Sequence, residues 1–481
     1  MNAEMRPQHA SDHRLPVKGL LINGRLVDGA STFDVINPAT EEVLAACPKA
    51  DLAQLNQAVA AAKAAFPAWS ARSIEERRGL LVKLANELET HSAEIARVLT
   101  QEQGKPLFLA NYELGGSLAM IRAFTAMDLP VKVLKETDDS RIVMQRTPLG
   151  VVAAITPWNF PLILLMMKVA PALLAGNTMV IKPAPTTPLS TLRFGELCAK
   201  ILPAGVVNII TDQNELGGAL TGHPDVAKVA FTGSTATGRK VMASVASSLK
   251  RLTLELGGND AAIVLDDVDP KAIAPKIFGG AMVNTGQVCL AIKRVYAHDS
   301  IYDALCTELA KLADAAIVGD GLEPNTQYGP LQNKVQFEKV KGYVEEARSR
   351  GKIIAGGIPH KGKGFFVRPT IVRDIPEDSK LVQEEQFGPV LPVLRYSDIN
   401  DAIARTNSTE YGLGATVWSS NPERAYAVAL KIDSGQVWVN KHLDLPPDVP
   451  FGGAKQSGFG TEMGQEGLEE FTQAKVINMA R

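Results

Sequence analysis

Short apolar segments recur at nearly regular intervals between residues 151 and 257, and this spacing constrains the fold more than any other feature of the sequence. Each interval is long enough for one strand, one crossover helix and the return to the next strand. Repeated units of this kind predict an α/β fold with a parallel, doubly wound sheet that carries helices on both faces. The five segments begin near Val151 (VVAAI), Thr178 (TMVIK), Val206 (VVNII), Lys228 (KVAFT) and Arg251 (RLTLEL).

A second series of α and β segments follows Gly257 and begins with AAIVLDD. It continues through RVYAH, PTIVRD, LPVLRYSD and GQVWVN, with a long helix predicted over 331–350 and a shorter one over 401–407. The series predicts a second α/β domain, and the pair Gly257 and Gly258 is the expected hinge between the two domains.

The remaining segments are helical or β-prone. Two amphipathic helices are predicted between residues 51 and 98, where apolar residues recur at spacings of three and four. Residues 128–145 contain two β-prone runs, LPVKVLK and RIVMQR, separated by the polar ETDDS, which is typical of a hairpin. We interpret this hairpin as an extension from the core. The C-terminal residues EGLEEFTQAKVINMAR also end in a β-prone tail.

The composition argues against several classes of function. The chain has 50 Lys and Arg against 52 Asp and Glu, so no net basic field exists to attract nucleic acid or anionic lipid. The most apolar stretch, 161–175, is too short for a bilayer and contains Lys168. The N-terminus lacks the apolar core of a signal peptide, and four cysteines without C-x-x-C spacing favour a reducing compartment. We therefore expect a cytoplasmic protein with no metal site and no nucleic-acid or membrane partner.

A glycine-rich turn, GSTATG, follows the strand KVAFT and precedes a helix expected from about Arg239. Backbone N–H groups and the positive end of a helix dipole make such a turn suitable for binding phosphate. The turn is neither a P-loop nor the G-x-G-x-x-G dinucleotide fingerprint, so an ordinary βα turn stays open as the alternative.

Three residues near strand ends carry groups suited to catalysis. Cys289 lies in NTGQVCLAIKR; apolar neighbours would raise its thiol pKa, so it needs activation, and an inert buried cysteine is the alternative. Glu255 ends the strand RLTLEL, where α/β sites gather, although an acid there is often solvated or salt-bridged. The amide of Asn159 can donate to a developing oxyanion, or the residue can cap the following helix.

Eight sequence blocks occur in the order that is found in the aldehyde dehydrogenase superfamily, and residues 21–477 resemble that family. Eight blocks in the correct order are highly specific. The blocks are TPWNFP (156–161), IKPA (181–184), FTGST (231–235), ELGG (255–258), GQVC (286–289), EEQFGPV (384–390), VWVN (437–440) and PFGGAKQSG (450–458).

The resemblance implies a dinucleotide-binding domain, a catalytic domain and an oligomerisation segment. The first covers residues 1–127 and 146–257, and the second covers residues 258–460. The oligomerisation segment covers residues 128–145 and 461–481, and the family's assemblies imply a homodimer or a homotetramer.

The resemblance also implies catalytic roles. Cys289 resembles the nucleophile that attacks the aldehyde, and Asn159 together with the backbone N–H of Cys289 resembles the oxyanion hole. Glu255 resembles the general base that activates first the thiol and then the water that hydrolyses the thioester. Lys168 and Glu462 match positions thought to relay the proton away from Glu255, and a plain salt bridge between them is the alternative.

NAD is the implied cofactor, with NADP as the open alternative. Lys182 resembles the residue that bonds the adenosine ribose, and Pro185 stands where NAD-preferring members often carry a glutamate that repels a 2′-phosphate. The missing carboxylate weakens the preference for NAD. The other positions that the family uses for the cofactor are Thr156, Trp158, Gly233, Ser234, Leu256, Gln336, Glu385 and Phe387.

Two departures from succinate semialdehyde dehydrogenases, which the chain otherwise resembles, concern the substrate. Those enzymes place arginines at the positions of Val283 and Met167, and a buried substrate carboxylate would lack a partner without them. We therefore predict a hydrophobic aldehyde, aliphatic or aromatic, with succinate semialdehyde as the alternative. The expected pocket residues are Phe160, Met167, Val288, Leu290, Leu443, Leu445 and Phe451.

Two rival functions use the same framework. A CoA-acylating enzyme would transfer the acyl group to CoA instead of water, but acylating relatives generally lack the base that Glu255 resembles. A catalytically silent homologue would serve as a structural or binding protein. The presence of Cys289, Glu255 and Asn159 together argues against it.

Overall fold

The computed structural model describes residues 15–357 and 362–481, and the N-terminal tail lies outside these ranges. The first part of the chain forms short strands and a group of helices. In chain order these are β1 (Leu20–Ile22), β2 (Arg25–Val27), β3 (Ser31–Ile36), β4 (Val43–Lys49), α1 (Leu52–Ser70), α2 (Ile74–Thr90), α3 (Ser92–Gln103) and α4 (Leu107–Thr125).

Side chains cap the helices that the amphipathic pattern predicts. Asp51 accepts a hydrogen bond from the backbone of Gln54 at the start of α1, and Ser73 caps α2 in the same way. The prediction of one continuous second helix is wrong, because the structure divides this segment into α2 and α3. His91 donates its N–H to Glu87 at the end of α2, while its carbonyl accepts from Ile95 at the start of α3.

The next elements include a hairpin and the predicted β-α series. They are β5 (Lys132–Glu136), β6 (Ser140–Pro148), β7 (Val151–Ile155), α5 (Ile163–Ala175), β8 (Thr178–Lys182), α6 (Leu189–Ile201), β9 (Val207–Ile209), α7 (Gly217–Gly222), β10 (Val226–Thr232), α8 (Thr235–Ala246) and β11 (Arg251–Glu255).

The rest of the chain forms the second series and the C-terminal strands. It contains β12 (Asp260–Val264), α9 (Pro270–Met282), a 3₁₀ turn (Val283–Gly286), β13 (Ile292–His298), α10 (Asp299–Ala315), α11 (Lys334–Arg350), β14 (Lys352–Ala355), β15 (Thr370–Arg373), α12 (Lys380–Gln383), β16 (Val390–Tyr396), α13 (Ile399–Asn407), β17 (Tyr411–Gly412), β18 (Gly414–Trp418), α14 (Pro422–Ala429), β19 (Gln436–Val439), β20 (Ala454–Lys455), β21 (Gly458–Phe459), α15 (Gly464–Glu469) and β22 (Thr472–Ala480).

The first sheet has the strand order β2-β1-β9-β8-β7-β10-β11-β21. Its five central strands are parallel, as the spacing predicts. Both edges are antiparallel, because β1 pairs with β9 and β21 pairs with β11. Successive residues of β7 point to opposite faces: Val151 and Ala153 join one apolar core, and Val152 and Ala154 join the other. Helices therefore cover both faces.

The second sheet has the order β14-β15-β16-β13-β12-β18-β19 and is parallel except for the β14–β15 pair. Apolar clusters cover both of its faces as well. A separate antiparallel sheet has the order β22-β6-β5, so the predicted hairpin at 128–145 forms, and the C-terminal tail adds a third strand to it.

Loops from the two large sheets come together around the candidate catalytic residues Asn159 and Cys289. The carboxyl ends of β7, β10 and β11 lie beside the loop 286–291 that precedes β13 and the loop 384–389 that precedes β16. Within residues 15–357 and 362–481, no helix has the length and apolar character that crossing a membrane requires. The same residues contain no cluster of His, Cys, Asp and Glu suited to a metal ion.

Candidate active site

A cavity of about 190 Å³ is lined by loops of both large sheets and contains the candidate nucleophile. It brings together Asn159, Cys289 and most of the residues predicted to bind the cofactor. Thr232 and Lys339 also line it, although neither is among the predicted site residues. The lining consists of Pro157, Trp158, Asn159, Leu164, Thr232, Gly233, Ser234, Leu256, Gly257, Cys289, Gln336, Lys339, Glu385 and Phe387.

Cys289 lies in the loop between the 3₁₀ turn and β13 and is partly exposed to the cavity. The other three cysteines of the chain, Cys47, Cys198 and Cys306, are buried. Burial raises the pKa of Cys289 to about 12, so the thiol does require activation, as its apolar neighbours predict. Its partial exposure to an open cavity favours a reactive cysteine over an inert one.

Asn159 is held by contacts on both its side chain and its backbone. Its amide nitrogen donates to the carbonyl of Gln287 at 3.0 Å. Its own carbonyl accepts from Lys105 Nζ at 2.8 Å and from Asn284 Nδ2 at 3.1 Å. The following helix, α5, begins only at Ile163, so Asn159 is not its cap, and the catalytic alternative is the one that the geometry favours.

Glu255 ends β11 and is only 4% exposed. Neither of its carboxylate oxygens has a hydrogen-bond partner among the residues that the structure describes. Burial, and then the charge of Glu462, raise the pKa of Glu255 well above its usual range, while Lys168 opposes them. A solvated or salt-bridged acid would be exposed or would have a hydrogen-bonded partner. The environment of Glu255 therefore favours a group that binds a proton.

Lys168 and Glu462 form a fully buried ion pair at 2.6 Å. The same ammonium donates to Thr232 Oγ1 at 2.7 Å. The salt bridge that the sequence left open as an alternative is therefore present. Because the charges of both partners act on Glu255, the pair also lies within electrostatic reach of the candidate base.

The glycine-rich turn after β10 leads directly into α8, which begins at Thr235. The prediction that this helix starts near Arg239 is wrong, because Ser234 accepts a hydrogen bond from Thr237 and caps the helix earlier. A Cβ on Gly233 would lie 2.6 Å from the ring of Phe231, so a larger residue would force this buried ring to move. The N-terminus of α8 opens into the cavity at Gly233 and Ser234.

Glu385, Gln336 and Phe387 line the opposite wall. Glu385 Oε1 accepts from the backbone N–H of Gly258 at 3.0 Å. The amide nitrogen of Gln336 donates to the carbonyl of Phe387 at 2.9 Å, and the Phe387 ring packs edge-on against Trp158 with 5.2 Å between ring centroids. Gln336 therefore holds the loop that carries Phe387.

Three residues predicted to bind the cofactor lie outside the cavity lining. Lys182 ends β8, and its ammonium pairs with Asp212 at 2.6 Å. Pro185 follows the same strand. Thr156 follows β7 and has a buried hydroxyl without a hydrogen-bond partner among the described residues. Asp212 is a partner that the sequence did not indicate, because it comes from the loop after β9.

The residues predicted to line the substrate pocket are not part of the cavity lining. They pack in one apolar cluster that also contains Cys289 and Val283. Phe160 has an unpredicted neighbour, since the ammonium of Lys105 lies 3.6 Å from the centre of its ring. The cluster members predicted from the sequence are Phe160, Met167, Val288, Leu290, Leu443, Leu445 and Phe451.

Two buried lysines beside the site were missed by the sequence reasoning. Lys105 forms a fully buried ion pair with Glu113. Lys293 is 1% exposed and lies four residues after Cys289. Both lysines lie inside otherwise apolar segments of the sequence. This position predicts that their side chains are buried, but it does not predict which groups they contact.

The sequence profile of the aldehyde dehydrogenase family matches residues 26–477. The mitochondrial aldehyde dehydrogenase of Leishmania tarentolae is 40% identical over 96% of this chain and 94% of its own length. The phenylacetaldehyde dehydrogenase of Pseudomonas fluorescens is 40% identical, over 97% of this chain and 96% of its own.

Solved structures agree with these relatives. The NAD⁺ complex of an aldehyde dehydrogenase from Bacillus cereus superimposes with a TM-score of 0.95 and 37% identity, over 100% of both chains. An NADP-dependent enzyme from E. coli superimposes with a TM-score of 0.94 and 36% identity, over 97% of this chain and 98% of its own.

Proposed function

Because the chain belongs to the aldehyde dehydrogenase family, whose members oxidise aldehydes, we propose that it converts a hydrophobic aldehyde to the carboxylic acid with Cys289 as nucleophile. The sulfur would bond to the aldehyde carbon and give a thiohemiacetal. The observation that carries the proposal is an accessible thiol within electrostatic reach of the buried carboxylate of Glu255, which lies outside the cavity lining and has no hydrogen-bond partner among the described residues.

The oxygen of the attacked aldehyde needs hydrogen-bond donors as negative charge develops on it. We assign this role to the amide of Asn159 and the backbone N–H of Cys289. Hydrogen bonds to the Asn159 carbonyl from Lys105 and Asn284 support the assignment, because they fix the backbone from which the amide projects.

The residues present fit a nicotinamide dinucleotide. The N-terminus of α8 opens into the cavity, Gly233 leaves no room for a side chain there, and the hydroxyl of Thr156 is buried without a partner. Bound at this site, NAD or NADP would supply the hydride acceptor for the oxidation. Ser234 would bind the pyrophosphate and Lys182 the adenosine ribose. Glu385, Gln336 and Phe387 would hold the nicotinamide end.

Glu255 would take the proton from the attacking thiol and later from the water that hydrolyses the thioester. A buried carboxylate without hydrogen bonds, whose pKa is raised above its usual range, binds a proton more readily than an exposed glutamate does. Its presence argues against a CoA-acylating enzyme and against a silent homologue. We assign the onward movement of the proton to the Lys168–Glu462 pair, which acts electrostatically on Glu255.

A hydrophobic substrate is supported by the apolar character of the predicted pocket residues, which belong to the large core cluster that Cys289 packs against. Val283 and Met167, which replace the two arginines of succinate semialdehyde dehydrogenases, belong to that cluster. Lys105, a cation near Phe160, is neutralised by Glu113 and has no free charge to offer a substrate carboxylate. The similarity to a phenylacetaldehyde dehydrogenase agrees with an aromatic or aliphatic substrate.

NAD is the proposed cofactor, and NADP remains the alternative because NAD-bound and NADP-dependent proteins both occur among the structural relatives. Asp212 supports NAD. Its carboxylate pairs with Lys182 at the strand end where Pro185 replaces the usual glutamate. A lysine already paired with a carboxylate is a poor partner for a 2′-phosphate, and the carboxylate itself would repel it.

The direct test is steady-state reduction of NAD, and separately of NADP, by the purified protein with octanal, benzaldehyde and succinate semialdehyde. We expect kcat/KM for octanal or benzaldehyde to exceed that for succinate semialdehyde by about tenfold or more. A preference for succinate semialdehyde would contradict the substrate assignment but not the chemistry.

The Cys289→Ala variant tests the chemistry itself. We expect it to bind the dinucleotide, measured by quenching of tryptophan fluorescence, but to lose aldehyde oxidation. Retention of oxidation at the wild-type rate would rule out the proposed mechanism.

A further inference from the structure

Lys293 lies four residues after Cys289, at the start of β13, and its side chain is almost completely buried. Its ammonium donates to the carbonyls of Val288 at 2.8 Å and Cys289 at 2.6 Å, and to that of Ala291 at 3.4 Å. The loop that carries the thiol therefore curves around this one ammonium, and all three N–H donors are directed at its carbonyls.

The charge of Lys293 has no carboxylate at hydrogen-bond distance among the residues that the structure describes. The nearest carboxylate in an ion pair with it, Glu385, lies at 3.9 Å and instead accepts a hydrogen bond from Gly258. By contrast, Lys168 and Lys182 each have a carboxylate oxygen at 2.6 Å. A buried cation whose hydrogen bonds all go to carbonyl groups, with its paired carboxylate at 3.9 Å, is stabilised further by negative charge that develops nearby.

Charged groups approach the thiol from several elements. Glu255 on β11, Asp260 on β12 and Glu385 on the loop before β16 all disfavour a thiolate at Cys289. Burial disfavours it more strongly still. Lys293 on β13 acts in the opposite direction, so it is the group that partly offsets the cost of forming the nucleophile.

We propose that Lys293 is a positioning residue that holds the Cys289 loop in shape and favours the thiolate through its positive charge. The proposal rests on Cys289 being the nucleophile. It adds a cation whose hydrogen bonds go to the carbonyls of the loop that carries the nucleophile.

Alkylation of Cys289 by iodoacetamide in the protein without cofactor tests the proposal. The rate would be followed by mass spectrometry from pH 6 to 11, so that Cys47, Cys198 and Cys306 are distinguished. Lys293→Gln keeps hydrogen-bond donors but removes the charge, and we expect it to raise the apparent pKa of the thiol by about one unit. Because a more basic thiolate is more nucleophilic, the net fall in rate below the midpoint is about threefold.

Lys293→Arg separates charge from disturbance of the loop. Arginine keeps the charge but is larger, so a merely structural role predicts that Arg slows alkylation more than Gln does. We expect the reverse order. Lys293→Met replaces the Gln variant in the comparison if Gln prevents folding. Arg77→Met, which removes a buried cation that donates to Leu174 outside this loop, is the control and should alkylate at the wild-type rate.

A Gln variant that is alkylated at the wild-type rate throughout this pH range, or an Arg variant that is alkylated more slowly than Gln, would overturn the proposal. Neither result depends on turnover. Failure of the proposed function would instead appear as aldehyde oxidation that survives in Cys289→Ala, so the two failures are distinguishable.

Discussion

Glu255 illustrates how burial sets the behaviour of a single residue. Its carboxylate has no hydrogen bond to offset the loss of solvent, so the neutral form is favoured in the folded protein. Because the pKa of Glu255 is higher in the folded state, the folded protein binds more protons than the unfolded protein does between pH 4.5, the usual pKa, and the folded-state pKa. The contribution of this group to stability is therefore complete below pH 4.5 and is lost as pH rises toward the folded pKa.

We predict that Glu255→Gln stabilises the protein increasingly as the pH rises above about 4.5, because Gln mimics the neutral acid. The measurement is the Tm of both proteins from pH 4 to 9. The same substitution should stop hydrolysis, so that acyl-enzyme accumulates and is visible by mass spectrometry after addition of octanal and cofactor. A constant Tm difference across this pH range would show that Glu255 is ionised in the folded protein.

Asp212 gives a prediction about cofactor choice. We expect Asp212→Asn to improve the binding of NADP relative to NAD by about tenfold, because it releases Lys182 from its ion pair and removes a repelling charge. Dissociation constants for both dinucleotides, measured by fluorescence titration, provide the check.

Lys49→Met is the matched control for Asp212→Asn, since it removes the Lys49–Glu215 ion pair at the other end of the same loop. It should leave the ratio of the two dissociation constants unchanged. If the ratio is also unchanged in Asp212→Asn, Asp212 does not set the preference.

The candidate nucleophile, base and amide donor could be selected from the sequence because each lies in a block with recognisable order and position. The lysines around them could not. A lysine in an apolar segment predicts burial at most, because the fold decides which groups it meets. Lys105 pairs with Glu113 only eight residues later, but it also donates to the carbonyl of Asn159, which is distant in sequence.

At the scale of elements, the Lys105–Glu113 pair connects three parts of the site. Lys105 precedes α4 and bonds the Asn159 carbonyl, while Glu113 within α4 accepts from the backbone of Leu162 and Ile163 at the start of α5. The pair thus ties α4 to the beginning of α5 and to the loop that carries the proposed oxyanion donor.

We predict that Lys105→Met lowers kcat more than it raises KM and destabilises the protein by about 3 kcal/mol, because it leaves a buried carboxylate unpaired. A double-mutant cycle with Asn159→Ala checks whether the effect on kcat passes through Asn159. If it does, the double variant is no slower than Asn159→Ala alone. Fully additive losses would instead show that Lys105 acts independently.

The order of most central elements could be predicted, but several boundaries could not. The strands of the first sheet follow from the β-α spacing, whereas its antiparallel edges come from strands as short as Gly458–Phe459, which are too short to carry a pattern. The start of α8 was misplaced because Ser234 caps the helix inside a glycine-rich run that reads as a turn.

At the scale of the whole molecule, the β22-β6-β5 sheet projects apolar side chains into solvent. Val133, Leu134 and Val476 are each about half exposed. An exposed apolar sheet is typical of an assembly surface, and it agrees with the predicted oligomerisation segment. A homodimer or homotetramer remains a prediction.

We predict that Val133→Glu together with Val476→Glu converts the oligomer to monomers without unfolding it, because charges on this surface would have to be desolvated on assembly. Mass from light scattering during size-exclusion chromatography is the measurement. Val335→Glu, at an exposed site on α11, is the control and should keep the wild-type mass. A monomeric wild-type protein would contradict the prediction at once.

The pairing of β21 with β11 determines how much of the chain must be synthesised before the enzyme can be active. Gly458 pairs directly with Glu255, so the strand that ends in the proposed base is completed by chain made about two hundred residues later. The first sheet can begin to fold while translation continues, but the strand beside Glu255 is missing until β21 has left the ribosome. Activity should therefore arise only at release of the nearly complete polypeptide, and a truncated nascent chain would be inert toward cellular aldehydes.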